Sequence, residues 1–261
     1  MPPVFPRTVM PDFRVFCAAP AAGAVELTLS PEESHHLVVV NRAQKGDTVI
    51  AFDGRGREWT CELATVRKPA ATLLVRAARR LDLPGHEITL AQALPKGPAM
   101  DAIIRKATEL GVARIAPLES ERTQVHLGGE RSEKKIEKWQ TAALEAAKQC
   151  GNAFLPEILP VQNAAAFIES ARDYDLKLIA SLQPGAQSLK AVLAAFHTAH
   201  GRAPHRALWL IGPEGDFTPA EIALAQRCGF APVTLGPLVL RCETAAVYAL
   251  SVLRHELQDA R

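Results

Sequence analysis

The chain has 261 residues, of which 48% are hydrophobic and 22% charged. This length and composition exclude an intrinsically disordered chain, a collagen and a small disulfide scaffold, because a chain of this size buries enough apolar surface to fold without cross-links. Thirty Lys and Arg against 28 Asp and Glu give a formal net charge of +2, so bulk charge does not by itself indicate a nucleic-acid-binding protein.

The five cysteines are scattered and none belongs to a C-x-x-C pair, which argues against a zinc site and a secreted disulfide framework. No apolar run approaches the length of a membrane span. The stretch that most resembles a signal peptide, 15–25, is interrupted by Pro20 and followed by strand-like alternation. We therefore predict a cytoplasmic protein with no metal site and no membrane association.

The first 80 residues predict a small β-barrel-like domain. Short alternating segments predict strands over 13–18, 25–29, 49–53, 58–66 and 72–78. The sequence Asp-Gly-Arg-Gly at 53–56 predicts a tight turn between two of them. Ser30, Pro31 and Glu33 predict a helix that opens with a capping box, with Leu37 and Val40 on its apolar face.

Residues 81–86 predict a linker, after which strands and helices alternate. We predict strands over 88–94, 113–118, 176–182, 207–212 and 233–236. The predicted helices cover 100–110, 132–150 and 243–257, and a second capping box begins at Thr218. Apolar strands that alternate with helices indicate a parallel sheet covered on both faces. The fold class is therefore α/β, with domains at 1–80 and 87–261.

Charge is unevenly distributed between the two parts. Residues 42–80 hold nine Lys and Arg against four Asp and Glu, a surplus of five positive charges. Two interpretations remain open for this stretch. It is either an ordinary solvated surface or a module that contacts phosphates.

Two Gly-Pro loops of the second part carry the functional signal. The first, 211–216, follows a predicted strand and leads into the Thr218 box, and the second, 235–246, leads into the last helix. Ligands of open α/β sheets bind beyond the carboxyl ends of the strands. Glycines let a ligand approach the backbone closely, and helix starts offer free N–H groups. Dinucleotide, P-loop and G-x-S-x-G fingerprints are missing from the chain.

These loops resemble the second and third motifs of the SPOUT methyltransferases. Within that superfamily the chain is similar to the ribosomal RNA small subunit methyltransferase E family, and the resemblance covers nearly the whole sequence. Further matches are Lys96-Gly97, Met100, 106–112, Pro117, 120–122, 149–151 and 156–158, with Arg14, His36, Arg42, Gly46-Asp47 and 52–54 in the N-terminal part.

The resemblance implies a PUA-like β-barrel followed by a SPOUT α/β domain with a C-terminal trefoil knot. It implies a homodimer that binds S-adenosyl-L-methionine and methylates N3 of a uridine in 16S ribosomal RNA of the assembled small subunit. The residues expected to bind the cofactor are Leu182, Ile211, Gly212, Pro213, Glu214, Gly215, Leu235, Gly236, Leu240, Arg241, Glu243, Thr244, Ala245 and Ala246. The residues expected to contact RNA are Arg14, Arg42, Lys45, Lys96 and Arg122.

Methylation of N3 requires loss of its proton and stabilisation of the charge that spreads onto O2 and O4. Arg241 is the candidate catalytic residue, because its guanidinium is permanently charged and offers a planar fork of donors. Its alternative role is to pair with Glu243 or Glu214 and brace the loop. Glu214 either receives the ammonium group of the cofactor or caps its own loop.

Three side chains invite functional interpretations that we do not adopt. Glu243 is a poor base, because a helix start tends to lower the pKa of a carboxylate. Cys242 is expected to be a buried structural thiol, since N3 is itself the nucleophile. Trp139 and Trp209 are expected in the core or at a dimer contact, and the pair His35-His36 on the surface or in barrel packing.

The last predicted helix carries apolar residues that include Ala246, Leu250, Val252 and Leu253. These exceed what one solvent-facing helix needs, which predicts that the helix lies in a twofold dimer interface.

Four positions depart from the family pattern, and they are Val39, Asn41, Asn152 and Asp216.

Two other functions remain open: a ribose 2′-O-methyltransferase on transfer or ribosomal RNA, and a catalytically silent RNA-binding assembly factor.

Overall fold

The computed structural model describes residues 13–18, 23–66, 70–125 and 127–258. The chain divides into two compact units, of which the first comprises Met1–Leu83 and Ala147–Leu155 and the second Pro84–Ala146 and Pro156–Arg261. The first unit thus includes a segment, 147–155, that lies far along the sequence and outside the predicted N-terminal domain.

The first unit contains a five-stranded sheet. Its strands are β1 (Phe13–Phe16), β2 (Glu26–Thr28), β3 (Thr48–Phe52), β4 (Arg57–Thr65) and β5 (Thr72–Arg80), in the order β1-β3-β4-β5-β2. The pair β1–β3 is parallel and the other pairs are antiparallel. Alternate strand residues such as Val49, Cys61 and Leu63 are buried in one apolar core. All five predicted strands are therefore confirmed.

The helix of the first unit, α1 (Pro31–His35), begins as predicted but without the complete capping box. The Ser30 hydroxyl accepts a hydrogen bond from the Glu33 N–H at 3.2 Å. The Glu33 carboxylate does not return to Ser30. Instead it accepts hydrogen bonds from the Phe16 N–H at 3.0 Å and from Lys148 Nζ at 2.9 Å. The reciprocal half of the predicted box is therefore wrong, because two distant donors take up the carboxylate.

A π-helical turn, His36–Val40, follows α1. Leu37 is fully buried, whereas Val40 is 55% exposed. The prediction that Val40 shares the apolar face is wrong, because the wider π-turn changes which residues share a side of the helix.

The segment 147–155 packs against the tight turn at 53–56. The Gly56 N–H donates to the Ala153 carbonyl at 3.1 Å, and the Leu155 N–H donates to the Gly54 carbonyl at 2.9 Å. A Cβ atom on Gly56 would lie 2.5 Å from the Phe154 ring, so only glycine allows this approach. Backbone pairing and close packing together hold the segment in the first unit.

The second unit is built on a seven-stranded sheet. Its strands are β6 (Glu87–Ala93), β7 (Arg114–Glu119), β8 (Glu157–Ile158), β9 (Gln162–Asn163), β10 (Leu176–Ala180), β11 (Arg206–Ile211) and β12 (Ala231–Val233). The order is β12-β10-β11-β6-β7-β8, β9 also pairs with β7, and every pair is parallel. The predicted parallel sheet is confirmed.

The helices that accompany this sheet are α2 (Ala99–Glu109), α3 (Glu130–Cys150), α4 (Ala164–Ser170), α5 (Leu189–His200), α6 (Pro219–Arg227) and α7 (Cys242–Leu257). The last residues of α3 belong to the first unit. The Thr218 capping box of α6 has both of its hydrogen bonds, as predicted. The helices α4 and α5 were not among the predicted ones.

The second unit has two separate apolar cores, and different helices contribute to each of them. One core includes buried residues of α2, α3, α5 and α7, together with Trp139 of α3 and Trp209 of β11, and the other includes residues of α4 and α6. The prediction that both tryptophans belong to the core is confirmed.

The apolar residues of α7 belong to the first of these two cores, the one that contains both tryptophans. Ala246, Leu250 and Leu253 are each no more than 1% exposed within the single chain. These three are not surplus apolar surface, whereas Val252 is only partly buried, and the placement of α7 in a dimer interface stays a prediction. None of the helices in the described ranges is long and apolar enough to cross a membrane.

Candidate active site

A cavity of about 1000 Å³ lies in the second unit beyond the carboxyl ends of β6, β10, β11 and β12. Its wall comes from the loops that follow these strands, from one side of α2 and from the start of α7. Its volume is at the upper end of the range of about 300–1,000 Å³ that is typical of small-molecule sites. The position agrees with the rule that open parallel sheets bind ligands at this edge.

The structure brings most of the predicted cofactor residues to this cavity. Those that line it are Leu182, Ile211, Gly212, Pro213, Glu214, Leu235, Leu240, Arg241, Glu243 and Ala245. Four others, Gly215, Gly236, Thr244 and Ala246, belong to the same loops and helix but do not line it. Ala246 is fully buried in the core of the single chain, and its contribution to cofactor binding stays a prediction.

Hydrogen bonds from neighbouring elements hold the first loop. Glu214 Oε1 accepts a hydrogen bond from the Lys96 N–H at 2.8 Å. Arg122 Nη1 donates to the Gly215 carbonyl at 2.8 Å. Glu214 therefore joins the loops after β6 and β11 and does not cap its own loop. Arg122, expected to contact RNA, braces the first loop in this structure.

Asp216 occupies a backbone conformation that favours glycine. Its φ is +59°, and its Oδ1 accepts a hydrogen bond from the Phe217 N–H at 2.8 Å. Asp tolerates left-handed backbone better than most residues, because its short side chain bonds locally. Asp216 therefore adopts a turn that glycine would also allow, and it adds a carboxylate to the cavity wall.

The second loop presents Arg241 at the start of α7. Thr234 Oγ1 accepts a hydrogen bond from the Gly236 N–H at 3.1 Å, and Gly236 has a φ of +113°. Arg241 is the exposed N-cap residue of α7 and makes no side-chain capping bond. Among the described residues its guanidinium has no ion pair with Glu214 or Glu243.

Cys242 follows Arg241 and is 5% exposed. Burial, together with the nearby charges of Glu214 and Glu243, raises the pKa of its thiol to about 11. The thiol is neutral near pH 7, whereas covalent catalysis requires a thiolate. The structure supports the expected structural role.

Helix α2 contributes a wall that the sequence did not predict. Asp101, Ala102 and Arg105 line the cavity from one side of this helix. Asp101 Oδ1 accepts a hydrogen bond from Trp139 Nε1 at 3.1 Å, and its other oxygen pairs with Lys138. Burial alone would raise the Asp101 pKa, but these hydrogen bonds and the Lys138 charge lower it. The available sequence signal was the polar side of α2, opposite Ile103 and Ile104.

The residues expected to contact RNA fall into different surroundings. The Arg14 side chain is only 7% exposed, pairs with Glu58 at 2.8 Å and lies over the Phe52 ring. Its prediction as an RNA contact is not supported, because the guanidinium is used inside the first unit. Arg42 and Lys45 are exposed in the first unit, and Lys96 is exposed in the second.

The three other positions that depart from the family pattern, Val39, Asn41 and Asn152, lie in the first unit. Asn152 Oδ1 accepts a hydrogen bond from the Phe154 N–H at 2.9 Å, so it orders its own turn. Val39 and Asn41 are exposed. No group of three or more His, Cys, Asp or Glu that could hold a metal occurs within the described ranges.

Comparisons with known proteins agree with this geometry. A family model described as an RNA methyltransferase domain matches residues 82–254, and one described as an RNA methyltransferase PUA domain matches residues 29–75. The fold and the cavity therefore define an RNA methyltransferase with a PUA-like N-terminal domain.

Individual relatives identify the family within this class of RNA methyltransferases. The ribosomal RNA small subunit methyltransferase E of Bacillus subtilis is 32% identical over 91% of this chain and 93% of its own length. The Synechocystis protein of the same name is 35% identical over 89% of this chain and 74% of its own length. The chain belongs to the ribosomal RNA small subunit methyltransferase E family.

Solved structures identify the cofactor. The Neisseria gonorrhoeae ribosomal RNA small subunit methyltransferase E, solved with S-adenosylmethionine, is 28% identical, with a TM-score of 0.83 over 95% of this chain and 98% of that one. A Legionella pneumophila protein described as a methyltransferase, also solved with this cofactor, is 33% identical, with a TM-score of 0.83 over 94% and 97%. The protein is an S-adenosylmethionine-dependent methyltransferase, as the motifs predicted.

Proposed function

We propose that this protein transfers the methyl group of S-adenosylmethionine to N3 of a uridine in 16S ribosomal RNA. The observation that carries the proposal is the guanidinium of Arg241 at the wall of the cavity, which has no ion-pair partner among the residues that the structure describes. A permanent cation beside the cofactor loops is what a reaction on an anionic uracil requires.

The cavity fits the cofactor. Its wall contains the carboxylates of Asp101, Glu214, Asp216 and Glu243 among apolar residues. S-adenosylmethionine carries a sulfonium and an ammonium cation, so a wall rich in carboxylates matches its charge. S-adenosylmethionine supplies an electrophilic methyl group that its sulfonium charge already activates, so the reaction needs no metal.

Arg241 supplies the stabilisation that the substrate needs. The N3 proton would pass to a solvent base, and the negative charge left behind would spread onto O2 and O4 of the uracil ring. The guanidinium of Arg241 would stabilise this charge with a planar pair of donors, and the cofactor would supply the methyl group. Glu243 is not proposed as the base, because it lies in the first turn of α7.

The cation-bearing surfaces are proposed to bind the RNA. Arg42 and Lys45 in the PUA-like unit, and Lys96 at the cavity, are exposed cations that suit phosphate contacts. We propose the assembled small subunit as the substrate, and the cytoplasm, where subunits mature, as the location.

We propose that the chain forms a twofold homodimer, and that its α/β domain contains the C-terminal trefoil knot that the family resemblance implies. The support within the chain is the exposed apolar rim of the cavity. Leu182, Leu238 and Val239 are 55%, 72% and 82% exposed. Such a group of large apolar side chains at the edge of a site is typical of a surface that a partner covers.

The test is methylation by the purified protein of small subunits that lack the modification, with isotopically labelled cofactor. Nucleoside mass spectrometry of the digested RNA should show label in 3-methyluridine. Label in a 2′-O-methylated nucleoside would favour the ribose methyltransferase, and an absence of label despite cofactor binding would favour the assembly factor. Either result contradicts the proposal.

A further inference from the structure

The cavity is large and has cations on its wall. Its volume of about 1000 Å³ is at the top of the range for sites that enclose one small molecule. Three cationic side chains line it: Lys96, Arg105 and Arg241. The carboxylates of the wall suit the two cations of the cofactor, and none of them forms an ion pair with Arg105 among the described residues. If RNA enters this cavity, its backbone supplies one negative charge per nucleotide.

Arg105 is the cation best placed for such an anion. It is exposed, and among the described residues its guanidinium makes no hydrogen bond, ion pair or ring contact. Arg241 is already assigned to the uracil ring. The Lys96 ammonium is a flexible point charge, whereas a guanidinium is a planar fork that matches two phosphate oxygens at once.

The helix that carries Arg105 is firmly held. The opposite side of α2 buries Ile103, Ile104 and Ala107 in the core. One turn before Arg105, Asp101 is bonded to Trp139 and Lys138 of α3. A side chain that projects from such a fixed helix loses less conformational freedom on binding than one on a loop.

We propose that Arg105 is a substrate-binding residue that binds a phosphate beside the target nucleotide and so holds the RNA in the cavity. This inference rests on the proposed function only in that RNA enters the cavity. It does not depend on which base or which atom is methylated. The competing role for the same guanidinium is to bind the carboxylate of the cofactor.

The test compares Arg105→Gln with the wild-type protein in two measurements. Calorimetry without RNA gives the cofactor Kd, and methyl transfer to small subunits between about 50 and 200 mM salt gives kcat and KM for RNA. We expect KM to rise about tenfold, equivalent to about 1.4 kcal/mol. The slope of log KM against log salt should fall by about one, as for loss of one phosphate contact. The cofactor Kd and the kcat at saturating RNA should change by less than about twofold.

Two further variants separate the proposal from general effects of charge or folding. Arg227→Gln makes the same change at an exposed arginine of α6 that does not line the cavity, and it should behave like the wild type. Arg105→Lys should recover part of the lost affinity, since it keeps the charge but not the fork.

Two results would overturn the inference. A cofactor Kd raised tenfold or more with an unchanged KM for RNA would assign Arg105 to the cofactor carboxylate. A KM and salt slope equal to those of the wild type would show that Arg105 does not contact RNA. Failure of the proposed function is a separate result, because it appears in the wild type as a different methylated nucleoside, with the Arg105 comparison still measurable.

Discussion

The Arg241 side chain has two predicted roles, and the structure bears on one of them. A bracing role requires a pair with Glu214 or Glu243. Glu214 instead accepts a hydrogen bond from the Lys96 backbone, and neither carboxylate pairs with Arg241 within the described part of the chain. The guanidinium at the start of α7 is thus available to a substrate.

The first prediction concerns this side chain. Arg241→Ala should lower the single-turnover rate of methyl transfer by about 10²–10³, because one preorganised donor to the developing charge is lost. Cofactor affinity should change little, since backbone forms much of the pocket. Arg241→Lys should restore only part of the rate. An unchanged chemical step together with a tenfold weaker cofactor would show that Arg241 is structural.

The second prediction concerns Cys242, whose pKa is raised to about 11. Cys242→Ala should retain methyl transfer within a few-fold, because a buried neutral thiol takes no part in the reaction. Its stability should fall by about 1 kcal/mol, a typical value for a single substitution. Rapid-quench kinetics and urea unfolding measure the two effects. Loss of the chemical step in a folded variant would point to covalent catalysis.

Arg14 shows why a motif match does not determine a residue's role. The sequence places a cation in a matched position, but burial depends on where Glu58 and Phe52 lie in the folded sheet. The pair with Glu58 leaves the Arg14 side chain 7% exposed. Burial of an arginine is energetically acceptable only with such a partner, and no local pattern shows that the partner will be there.

At the scale of elements, the glycines of the two loops give the third prediction. A Cβ on Gly212 would lie 3.0 Å from Asp216 Oδ1 and 3.3 Å from the Asp216 Cα, while Gly236 has a φ of +113°. Gly212→Val and Gly236→Val should therefore abolish cofactor binding measured by calorimetry, by clash and by backbone strain respectively.

The matched control for these variants is Gly201→Val. Gly201 also has a positive φ, +65°, but it ends α5 and does not line the cavity. It should lose stability and keep its cofactor affinity. Wild-type affinity in both loop variants would refute the assignment of the pocket.

The fourth prediction concerns acid stability and Asp175, at the amino ends of β10 and β11. The hydrogen bond from Arg202, assisted by the N–H groups of Arg206 and His205, lowers the Asp175 pKa from 3.8 to about 2. A carboxylate whose pKa is lower in the folded state stabilises the fold above its unfolded pKa. That contribution should be lost as the pH falls from about 4 to 2.

Urea unfolding of the wild type and of Asp175→Asn across this pH range measures the effect. The variant should be less stable at pH 7 and should show a shallower loss of stability below pH 4. Parallel pH profiles for the two proteins would contradict the assignment of the low pKa to Asp175.

The two capping boxes show how far the sequence predicts the elements. Thr218 and Glu221 bond reciprocally, as their spacing predicts, although Glu221 Oε1 also accepts a hydrogen bond from the distant Glu121 N–H at 3.0 Å. Glu33 has the same spacing from Ser30, but its carboxylate bonds to Lys148, 115 residues away along the chain. Local spacing therefore predicts both helix starts, whereas the distant partners of the two carboxylates depend on the whole fold.

The same limit explains which parts of the site the sequence predicts. Both Gly-Pro loops were predicted from their residues, because glycine, proline and a following helix start are local signals. The wall formed by α2 was not predicted, since it depends on β6 lying beside β11 in the sheet. That order is a property of the whole fold.

At the scale of the molecule, the division of the chain also departs from the sequence order. Residues 147–155 belong to the first unit, although more than 60 residues of the second unit precede them. A boundary drawn from composition at 81–86 cannot reveal this, because the contacts of the segment are backbone bonds at Gly54 and Gly56.

The fifth prediction concerns assembly. Since Ala246, Leu250 and Leu253 are buried in the chain's own core, a dimer interface must use other apolar residues. Leu238 and Val239, which are 72% and 82% exposed, are the strongest candidates. Sedimentation velocity at micromolar concentration should show a dimer, and Val239→Glu should shift it toward monomer. A wild-type monomer would refute the proposed homodimer.

The most direct test of the proposed activity is a comparison of ribosomal RNA from cells with and without this gene. Nucleoside mass mapping of small-subunit RNA should find one 3-methyluridine that is missing without the gene. Re-expression of the wild-type protein should restore it, and Arg241→Ala should not. Unchanged 3-methyluridine in cells that lack the gene, or loss of a different methylated nucleoside, would contradict the account.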